Sequence, residues 1–415
     1  MRTPVLVAFA AMLITVALVI GCQTYDFEPV QPLAVAQTTQ SYSTIGRSLK
    51  PNMALLIDKS GSMTQAVNTS DPACDVGGGL PSRCGQTLQP VCPAGCPTRW
   101  GDLKAAMTQF LSNNGTVARL GAAIYPPSGA CTATSAMAVD VSQSNDVGSE
   151  LQQTANQILT FIQGITPAGG TPTAASIAFM ATNPRLADSQ RDNFILLLTD
   201  GLPNCNPNHP TPYPDANCKC TDTNPLSCDA SRSQLCLDQA ATVNAITAAY
   251  ANNNIRTIVV GFGADTAGAE GQAVLEAMAN AGQFPRTCPG GTQAECGTGT
   301  CDVTSKTCDP PFYQAGNAAE LATVLANISK KLSQAPCDYT LAVTPSDENL
   351  IAVLVNGVVV PRGTDTWQYL APNSPSCPTA CPFGEVQLTG QLCTDARTAT
   401  EQDPFKVEIR LLRTF

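Results

Sequence analysis

The chain has 415 residues, with 22 basic and 32 acidic side chains and a formal net charge of −10 at neutral pH. This acidic balance argues against nucleic-acid binding, which needs clustered lysine and arginine side chains to neutralise phosphates. An aromatic content of 5% also leaves few side chains for stacking on bases. The length is enough for two or three domains.

The first residues are typical of an export signal. Arg2 gives a positive start, residues 5–20 form an uncharged apolar segment, and the sequence VIGC ends at Cys22. This ending resembles the lipobox of bacterial lipoproteins, which implies cleavage directly before Cys22 and lipid attachment to its thiol. Gln23, in place of an aspartate, then favours the outer membrane. The alternative is an uncleaved helical anchor, although the apolar segment is just short of the ~20 residues that span a bilayer.

The composition divides the chain into four regions. Residues 1–21 are the expected signal peptide, and residues 22–49 are polar, contain proline and are expected to form a tether. Residues 50–335 alternate short apolar runs with helical patterns. Residues 336–415 alternate apolar and polar positions between turn signals, among them the hairpin signal VNGV, and predict a small all-β domain without a helix.

Within residues 50–335, the order of the predicted strands and helices indicates the fold class. Predicted strands cover 53–57, 118–125, 136–141, 194–198, 256–262 and 312–315. Predicted helices cover 99–113, 145–164, 172–181, 231–253, 268–281 and 317–333. Nearly all-apolar strands separated by helices predict an α/β fold with a doubly wound, mostly parallel sheet covered on both faces. The second and third strands could form a hairpin with one antiparallel edge strand.

The cysteine count agrees with export. Of 19 cysteines, 18 remain when Cys22 is set aside, and an even number in an oxidising compartment predicts disulfides. Many lie in polar insertions near 64–97, 202–230 and 284–311, which are too polar to form their own cores. The alternative is zinc binding by CKC or CPAGC, but thiolate zinc sites usually belong to reducing compartments. Sixteen of the cysteines fall into four local groups: Cys74, Cys84, Cys92, Cys96; Cys218, Cys220, Cys228, Cys236; Cys288, Cys296, Cys301, Cys308; and Cys337, Cys377, Cys381, Cys393.

Two cysteines, Cys131 and Cys205, remain outside these groups. Both follow predicted strands, so both are expected at the carboxyl edge of a parallel sheet. A disulfide needs Cα atoms within about 7 Å, which loops at one edge can reach. We therefore predict a Cys131–Cys205 bridge, with the alternative that a cysteine inside one of the groups pairs outwards instead.

Oxygen-bearing side chains cluster where the predicted strands end. Asp58, Ser60 and Ser62 follow the first strand, Asp200 follows the strand at 194–198, and Thr171 precedes a helix. Singly, these are ordinary turn and helix-cap residues. Together, at the edge where open α/β sheets bind ligands, they form an oxygen-only set that suits Mg²⁺. Asp58 is expected at the exposed end of its strand, where its removal would cost little packing.

This set resembles the metal-ion-dependent adhesion site of the von Willebrand factor type A domain. The family pattern is Asp-x-Ser-x-Ser after the first strand, a threonine in a middle loop and an aspartate after a later strand. The resemblance covers about residues 50–335 and implies Ser60, Ser62 and Thr171 as direct ligands, with Asp58 and Asp200 acting largely through water. It implies Mg²⁺, with Mn²⁺ or Ca²⁺ as alternatives, and one coordination position for a partner's carboxylate. The long Cys-rich insertions depart from the pattern.

The function expected from these features is metal-dependent binding of a protein ligand with an acidic side chain, by a lipid-anchored cell-envelope protein. Two alternatives are an exported hydrolase and a structural envelope protein with a vestigial metal site. A hydrolase would need a base beside a nucleophile. The one histidine, His209, lies in a Pro- and Asn-rich stretch, and no Gly-x-Ser-x-Gly sequence occurs, so we expect no enzyme activity.

Overall fold

The computed structural model of the protein describes most of the chain from residue 50 onward. The ranges it describes are 44–46, 50–68, 70–75, 84, 92–129, 131–144, 146–188, 191–209, 218–221, 233–288, 290–297, 299–333, 337–341, 343–374, 381, 383–398 and 405–411. The predicted signal peptide and Cys22 lie outside these residues. Within them, no helix has both the length and the apolar character needed to cross a membrane.

The described strands and helices are numbered in chain order. The strands are β1 Thr44–Gly46, β2 Asn52–Asp58, β3 Arg119–Tyr125, β4 Asn193–Thr199, β5 Ile255–Phe262, β6 Thr300–Asp302, β7 Thr307–Asp309, β8 Tyr313–Ala315, β9 Asp338–Thr340, β10 Ile351–Val355, β11 Val358–Val360, β12 Trp367–Leu370, β13 Glu385–Leu388 and β14 Val407–Leu411. The helices are α1 Arg99–Asn114, α2 Gly148–Gln163, α3 Thr173–Met180, α4 Gln239–Asn253, α5 Ala264–Ala267, α6 Ala269–Ala281, α7 Ala318–Ser333 and α8 Gly390–Thr398.

The central sheet has five parallel strands in the order β3-β2-β4-β5-β8. Every residue of β2 and β4 is buried, as expected for strands covered on both faces. Alternate side chains of β2 enter two cores. Met53, Leu55 and Ile57 pack with α1, α2 and α7 on one face, and Ala54 and Leu56 pack with α3, α4 and α6 on the other. The predicted α/β, doubly wound fold class is confirmed.

Two predicted elements differ from the structure. The predicted strand at 136–141 forms only an isolated antiparallel bridge, in which Val139 pairs with Ala122 of β3. The predicted helix at 231–253 begins at Gln239 instead. Its expected first turns belong to the preceding insertion, because Cys236 is buried and bonded to Cys218. A disulfide outweighs the weak local helix preference of this stretch.

The Cys-rich insertions contain disulfides. The described bridges are Cys74–Cys96, Cys84–Cys92, Cys131–Cys205, Cys218–Cys236, Cys288–Cys301, Cys296–Cys308 and Cys337–Cys393. The sulfurs of the first and third local groups come close enough together to suggest a metal site, but each is already bonded to another sulfur. The zinc alternative is wrong for CPAGC and for CKC, because the cysteines of both sequences are bonded to other sulfurs.

The described residues divide into two compact units. One holds the parallel sheet and comprises Arg47–Cys337 with Thr389–Phe405. The other contains β1, Asp338–Leu388 and β14. Its strands form two antiparallel sheets, ordered β1-β14-β10-β11 and β12-β13-β9. The small antiparallel β part is as predicted.

Two details of the C-terminal region were not anticipated. Strand β1 lies within the segment expected to be a tether, and it pairs antiparallel with β14. Helix α8 lies in the region expected to lack helices. Its Cys393 is bonded to Cys337, so this short helix is held by a covalent cross-link as well as by its own hydrogen bonds.

Candidate functional site

The carboxyl ends of β2 and β4 lie side by side and bring the first part of the candidate site together. Ile57 is paired with Leu198, so Asp58 and Thr199 occupy the next positions along the two strands. The Thr199 hydroxyl donates a hydrogen bond to Oδ2 of Asp58 at 2.8 Å. The backbone N–H of Ser60 donates to Oδ1 of the same carboxylate at 2.7 Å. Both oxygens of Asp58 are thus fixed by neighbours on either side.

The two serines link the first strand to Asp200. The hydroxyl of Ser62 donates to Oδ1 of Asp200 at 2.9 Å, and the hydroxyls of Ser60 and Ser62 are 2.9 Å apart. Since a hydroxyl has a single proton and that of Ser62 is given to Asp200, Ser60 donates to Ser62. A chain of hydrogen bonds therefore runs from Ser60 through Ser62 to a carboxylate 138 residues away in sequence from Ser62.

Main-chain contacts bring Thr171 to the same edge. The N–H of Gly61, which lies between the two serines, donates to the carbonyl of Gly169 at 2.8 Å. The N–H of Thr171 donates to Oδ1 of Asn204 at 2.7 Å, and the N–H of Asn204 donates to the carbonyl of Thr171 at 2.9 Å. The loop of Thr171 is thus attached to the loops that follow β2 and β4. These contacts fix its backbone rather than its hydroxyl.

The site carboxylates are more buried than the sequence suggests. Asp58 and Asp200 are both 0% exposed. The expectation that Asp58 lies at an exposed strand end is therefore wrong, because the loops after β2 and β4 fold over it. Burial, and then the charge of Asp200, raise the pKa of Asp58 to about 7. Two buried carboxylates whose charges repel favour either a proton or a cation at the site.

Two basic side chains accompany these carboxylates. Arg99, the first residue of α1, is 2% exposed, and its Nη1 is 2.8 Å from Oδ2 of Asp200. Lys59 is also buried, and its ammonium nitrogen is 3.5 Å from the carbonyl oxygen of Ala168. Burial lowers the pKa of Lys59, and the charge of Asp58 opposes this shift.

Three residues of this arrangement were given no role from the sequence: Arg99, Thr199 and Asn204. For Arg99, the sequence contains a signal that could have indicated its role. Thr98 caps α1 by accepting a hydrogen bond from the N–H of Gly101, so Arg99 occupies the first helical position. A cation is unfavourable there because it faces the positive end of the helix dipole. Arginine at that position therefore indicates an acidic partner from elsewhere in the chain.

Cys131 and Cys205 are joined by a disulfide, with Cα atoms 5.1 Å apart. This is the pair that the sequence predicts. Cys205 directly follows Asn204, the residue that holds the backbone of Thr171. The bridge therefore fastens the loop after β4 to the loop after β3, beside the candidate site.

His209, the base that a hydrolase would use, has a different environment. A ring nitrogen of His209 is 3.2 Å from the carbonyl oxygen of Leu237. Neighbouring Asn206 donates to the carboxylate of Asp238 at 2.9 Å. These contacts place His209 against the end of the insertion that precedes α4.

Comparisons with known proteins give remote similarities. No protein-family profile and no curated protein sequence matches the chain. Among solved structures, it is similar to the pilus adhesin SpaC of Lactobacillus rhamnosus GG, with 13% identity, a TM-score of 0.38, and coverage of 87% of this chain and 39% of the adhesin.

Two further similarities are to proteins crystallised with metal ions. Proximal thread matrix protein 1 of the mussel byssus, with a zinc-occupied MIDAS motif, has 11% identity and a TM-score of 0.37 over 70% of this chain and 51% of its own. The manganese-loaded TRAP protein of Plasmodium vivax has 15% identity and a TM-score of 0.30 over 54% and 62%. The chain spans less than two thirds of each of the three proteins. Similarities this low do not assign it to a family.

Proposed function

We propose that the unit with the parallel sheet is a von Willebrand factor type A domain that binds a divalent metal ion, and through it an acidic group of a protein ligand. Asp58, Ser60, Ser62, Thr171 and Asp200 would hold the ion. The observation that carries the proposal is the Ser60–Ser62–Asp200 hydrogen-bond chain, which joins two sequence-distant parts of the motif at one sheet edge.

The chemistry of these side chains suits Mg²⁺, with Mn²⁺ and Ca²⁺ as alternatives. All of them offer oxygen, the ligand type that hard divalent cations prefer. Asp58 already accepts hydrogen bonds at both oxygens, from Ser60 and Thr199. It is therefore suited to a role through bound water, while the serine hydroxyls are suited to direct contact. When bound, the ion would supply a coordination position for a partner's carboxylate.

We further propose that the protein acts as a lipid-anchored adhesion or assembly factor of a bacterial cell envelope, attached through Cys22 and not an enzyme. The lipobox-like sequence VIGC and the even number of remaining cysteines support this proposal. Seven described disulfides are consistent with folding in an oxidising compartment. Gln23 favours the outer membrane over the inner membrane.

A capture experiment tests the ligand-binding part of the proposal. Immobilised protein is exposed to envelope and extracellular fractions in Mg²⁺, then washed with EDTA. A matched Asp58→Asn protein, which keeps the shape of the side chain and removes its charge, serves as the control. We expect proteins that are released by EDTA from the parent and are absent from the variant. Identical captured sets on both, unaffected by EDTA, would contradict metal-dependent binding.

A further inference from the structure

We propose that Arg99 is a resident counter-ion of the metal site: it keeps Asp200 in place when the divalent ion is absent and weakens the binding of that ion when it is present. This inference rests on the proposed function, because it concerns the same site. Arg99 lies outside the five-residue motif, so the motif alone does not assign it a role.

The side chain of Arg99 occupies a buried space formed by neighbouring residues. Its side chain is 2% exposed and reaches from the start of α1 to Oδ2 of Asp200 at 2.8 Å. Gly263, directly after β5, lies against it with a φ of +88°. A Cβ atom on Gly263 would come within 3.1 Å of Nε of Arg99, so the glycine leaves the space that the guanidinium group uses.

Burying this arginine is unfavourable unless its charge is compensated. An isolated buried charge costs a great deal of free energy, and the helix dipole adds to that cost at the first helical position. Asp200 supplies the compensation. Asp200 in turn needs the positive charge of Arg99. It is fully buried, and its charge and that of Asp58 repel each other.

The two oxygens of Asp200 have separate partners. Arg99 donates to Oδ2, and Ser62 donates to Oδ1 at 2.9 Å. By fixing one oxygen, Arg99 orients the other toward the serine that the proposed function assigns to the ion. The guanidinium group of Arg99 therefore holds the carboxylate of Asp200 in position without a metal ion.

The charge of Arg99 also affects what the site attracts. The two carboxylates together balance the two positive charges of a divalent ion. The guanidinium group, 2.8 Å from Asp200, then leaves the loaded site with a net positive charge. We therefore infer that Arg99 lowers affinity for the cation and raises affinity for an anionic partner group.

Thermal unfolding and Mn²⁺ titration of four proteins test this role. They are the parent, Arg99→Lys, Arg99→Met and Arg99→Met/Asp200→Asn, each measured in EDTA and in Mn²⁺. Arg191→Met is the matched control, because Arg191 forms a partly buried ion pair with Asp146 at 2.8 Å in a different part of the unit. Removing one partner of a buried ion pair lowers stability, but only a loss within the metal site is recoverable by metal.

We expect Arg99→Met to unfold at a lower temperature than the parent in EDTA, to regain stability in Mn²⁺, and to bind Mn²⁺ roughly tenfold more tightly. Arg99→Lys should stay close to the parent. The double variant should regain stability in EDTA, because neither buried charge remains. Arg191→Met should lose stability that Mn²⁺ does not restore. A metal response in Arg99→Met alone would contradict metal binding by the parent, and with it both the proposed function and this inference.

Three results would overturn the inference. One is equal stability in EDTA and equal Mn²⁺ affinity for the parent and Arg99→Met, which would leave the proposed function standing. Another is weaker Mn²⁺ binding by Arg99→Met. The third is failure of both Arg99→Met and the double variant to fold in either condition, which would assign Arg99 to packing. No metal response in any protein would contradict the inference and the proposed function together.

Discussion

Asn204 and Thr171 hold each other by two hydrogen bonds. The side-chain oxygen of Asn204 accepts from the N–H of Thr171 at 2.7 Å, and the N–H of Asn204 donates to the carbonyl of Thr171 at 2.9 Å. Both residues are buried. The proposed threonine ligand is thus positioned by a residue four places beyond Asp200, in the loop that follows β4.

Replacing Asn204 should loosen this loop. Asn204→Ala leaves the buried N–H of Thr171 without its acceptor, which should cost about 1–3 kcal/mol of unfolding free energy. It should also weaken Mn²⁺ binding, because Thr171 is no longer fixed beside the serines. Asn206→Ala is the control, since Asn206 bonds to Asp238 instead. Chemical unfolding and calorimetry check both effects, and equal Mn²⁺ affinity in the two variants would argue against a positioning role.

The Cys131–Cys205 bridge should support the site as well as the fold. Replacing both cysteines with serine should lower the unfolding free energy by roughly 2–4 kcal/mol and weaken Mn²⁺ binding. Replacing Cys296 and Cys308, which are bridged within another insertion, should lower stability and leave Mn²⁺ affinity unchanged. Peptide mapping without reduction checks the pairing itself. A Cys131 peptide linked to any cysteine other than Cys205 would rule out the bridge.

The sequence predicts that Asp58 and Asp200 meet at one sheet edge, for a physical reason. Apolar strands that alternate with helices form mostly parallel sheets, and parallel strands bring their carboxyl ends together. Asp58 and Asp200 each follow such a strand, so their meeting depends on topology rather than on any detailed contact. Cys131 and Cys205 also follow parallel strands, and they meet at the same edge in a disulfide.

The contacts that complete the site depend on details which periodicity does not encode. Arg99 could have turned toward solvent, and nothing local to Asn204 shows that its partner is Thr171. The burial of Asp58 follows from loops whose course is set by contacts distant in sequence, such as that between Gly61 and Gly169. Helix α8 was not predicted because the alternation of apolar and polar residues around it favoured strands throughout the C-terminal region.

The small β unit contains a buried carboxylate. Glu385 in β13 is 0% exposed, and within the part of the chain that the structure describes its carboxyl oxygens accept no hydrogen bond. Burial, and then the charge of Asp338, raise the pKa of Glu385 from 4.5 to about 7. The folded state therefore holds a proton that the unfolded state releases at lower pH.

We expect unfolding free energy to fall as pH rises from about 4.5 to about 7 and to level off above that range, because ionised Glu385 is less favourable in the folded state. Glu385→Gln should reduce this dependence. Glu348→Gln, at a residue in an exposed ion pair with Arg362, should not. Urea unfolding at a series of pH values checks this, and parallel curves for Glu385→Gln and the parent would contradict it.

Lipidation of Cys22 is a separate prediction from the sequence. In bacteria fed a palmitate analogue, the parent should be labelled and Cys22→Ser should not, because the thiol is the expected attachment site. The variant should also become soluble or keep its signal peptide. Cys131→Ser, which alters a cysteine of the folded unit, is a control that should still be labelled. Equal labelling of parent and Cys22→Ser would show that the anchor is absent or lies elsewhere.

The central claim is that the cluster at the sheet edge binds a divalent cation, and calorimetric titration of Mn²⁺ into EDTA-stripped protein tests it most directly. Asp58→Asn is the informative variant, because it keeps the volume of a fully buried side chain while removing its charge. We predict one bound ion per chain for the parent and binding at least roughly tenfold weaker for the variant. Equal Mn²⁺ affinity in the two proteins, or no binding by the parent, would contradict the claim.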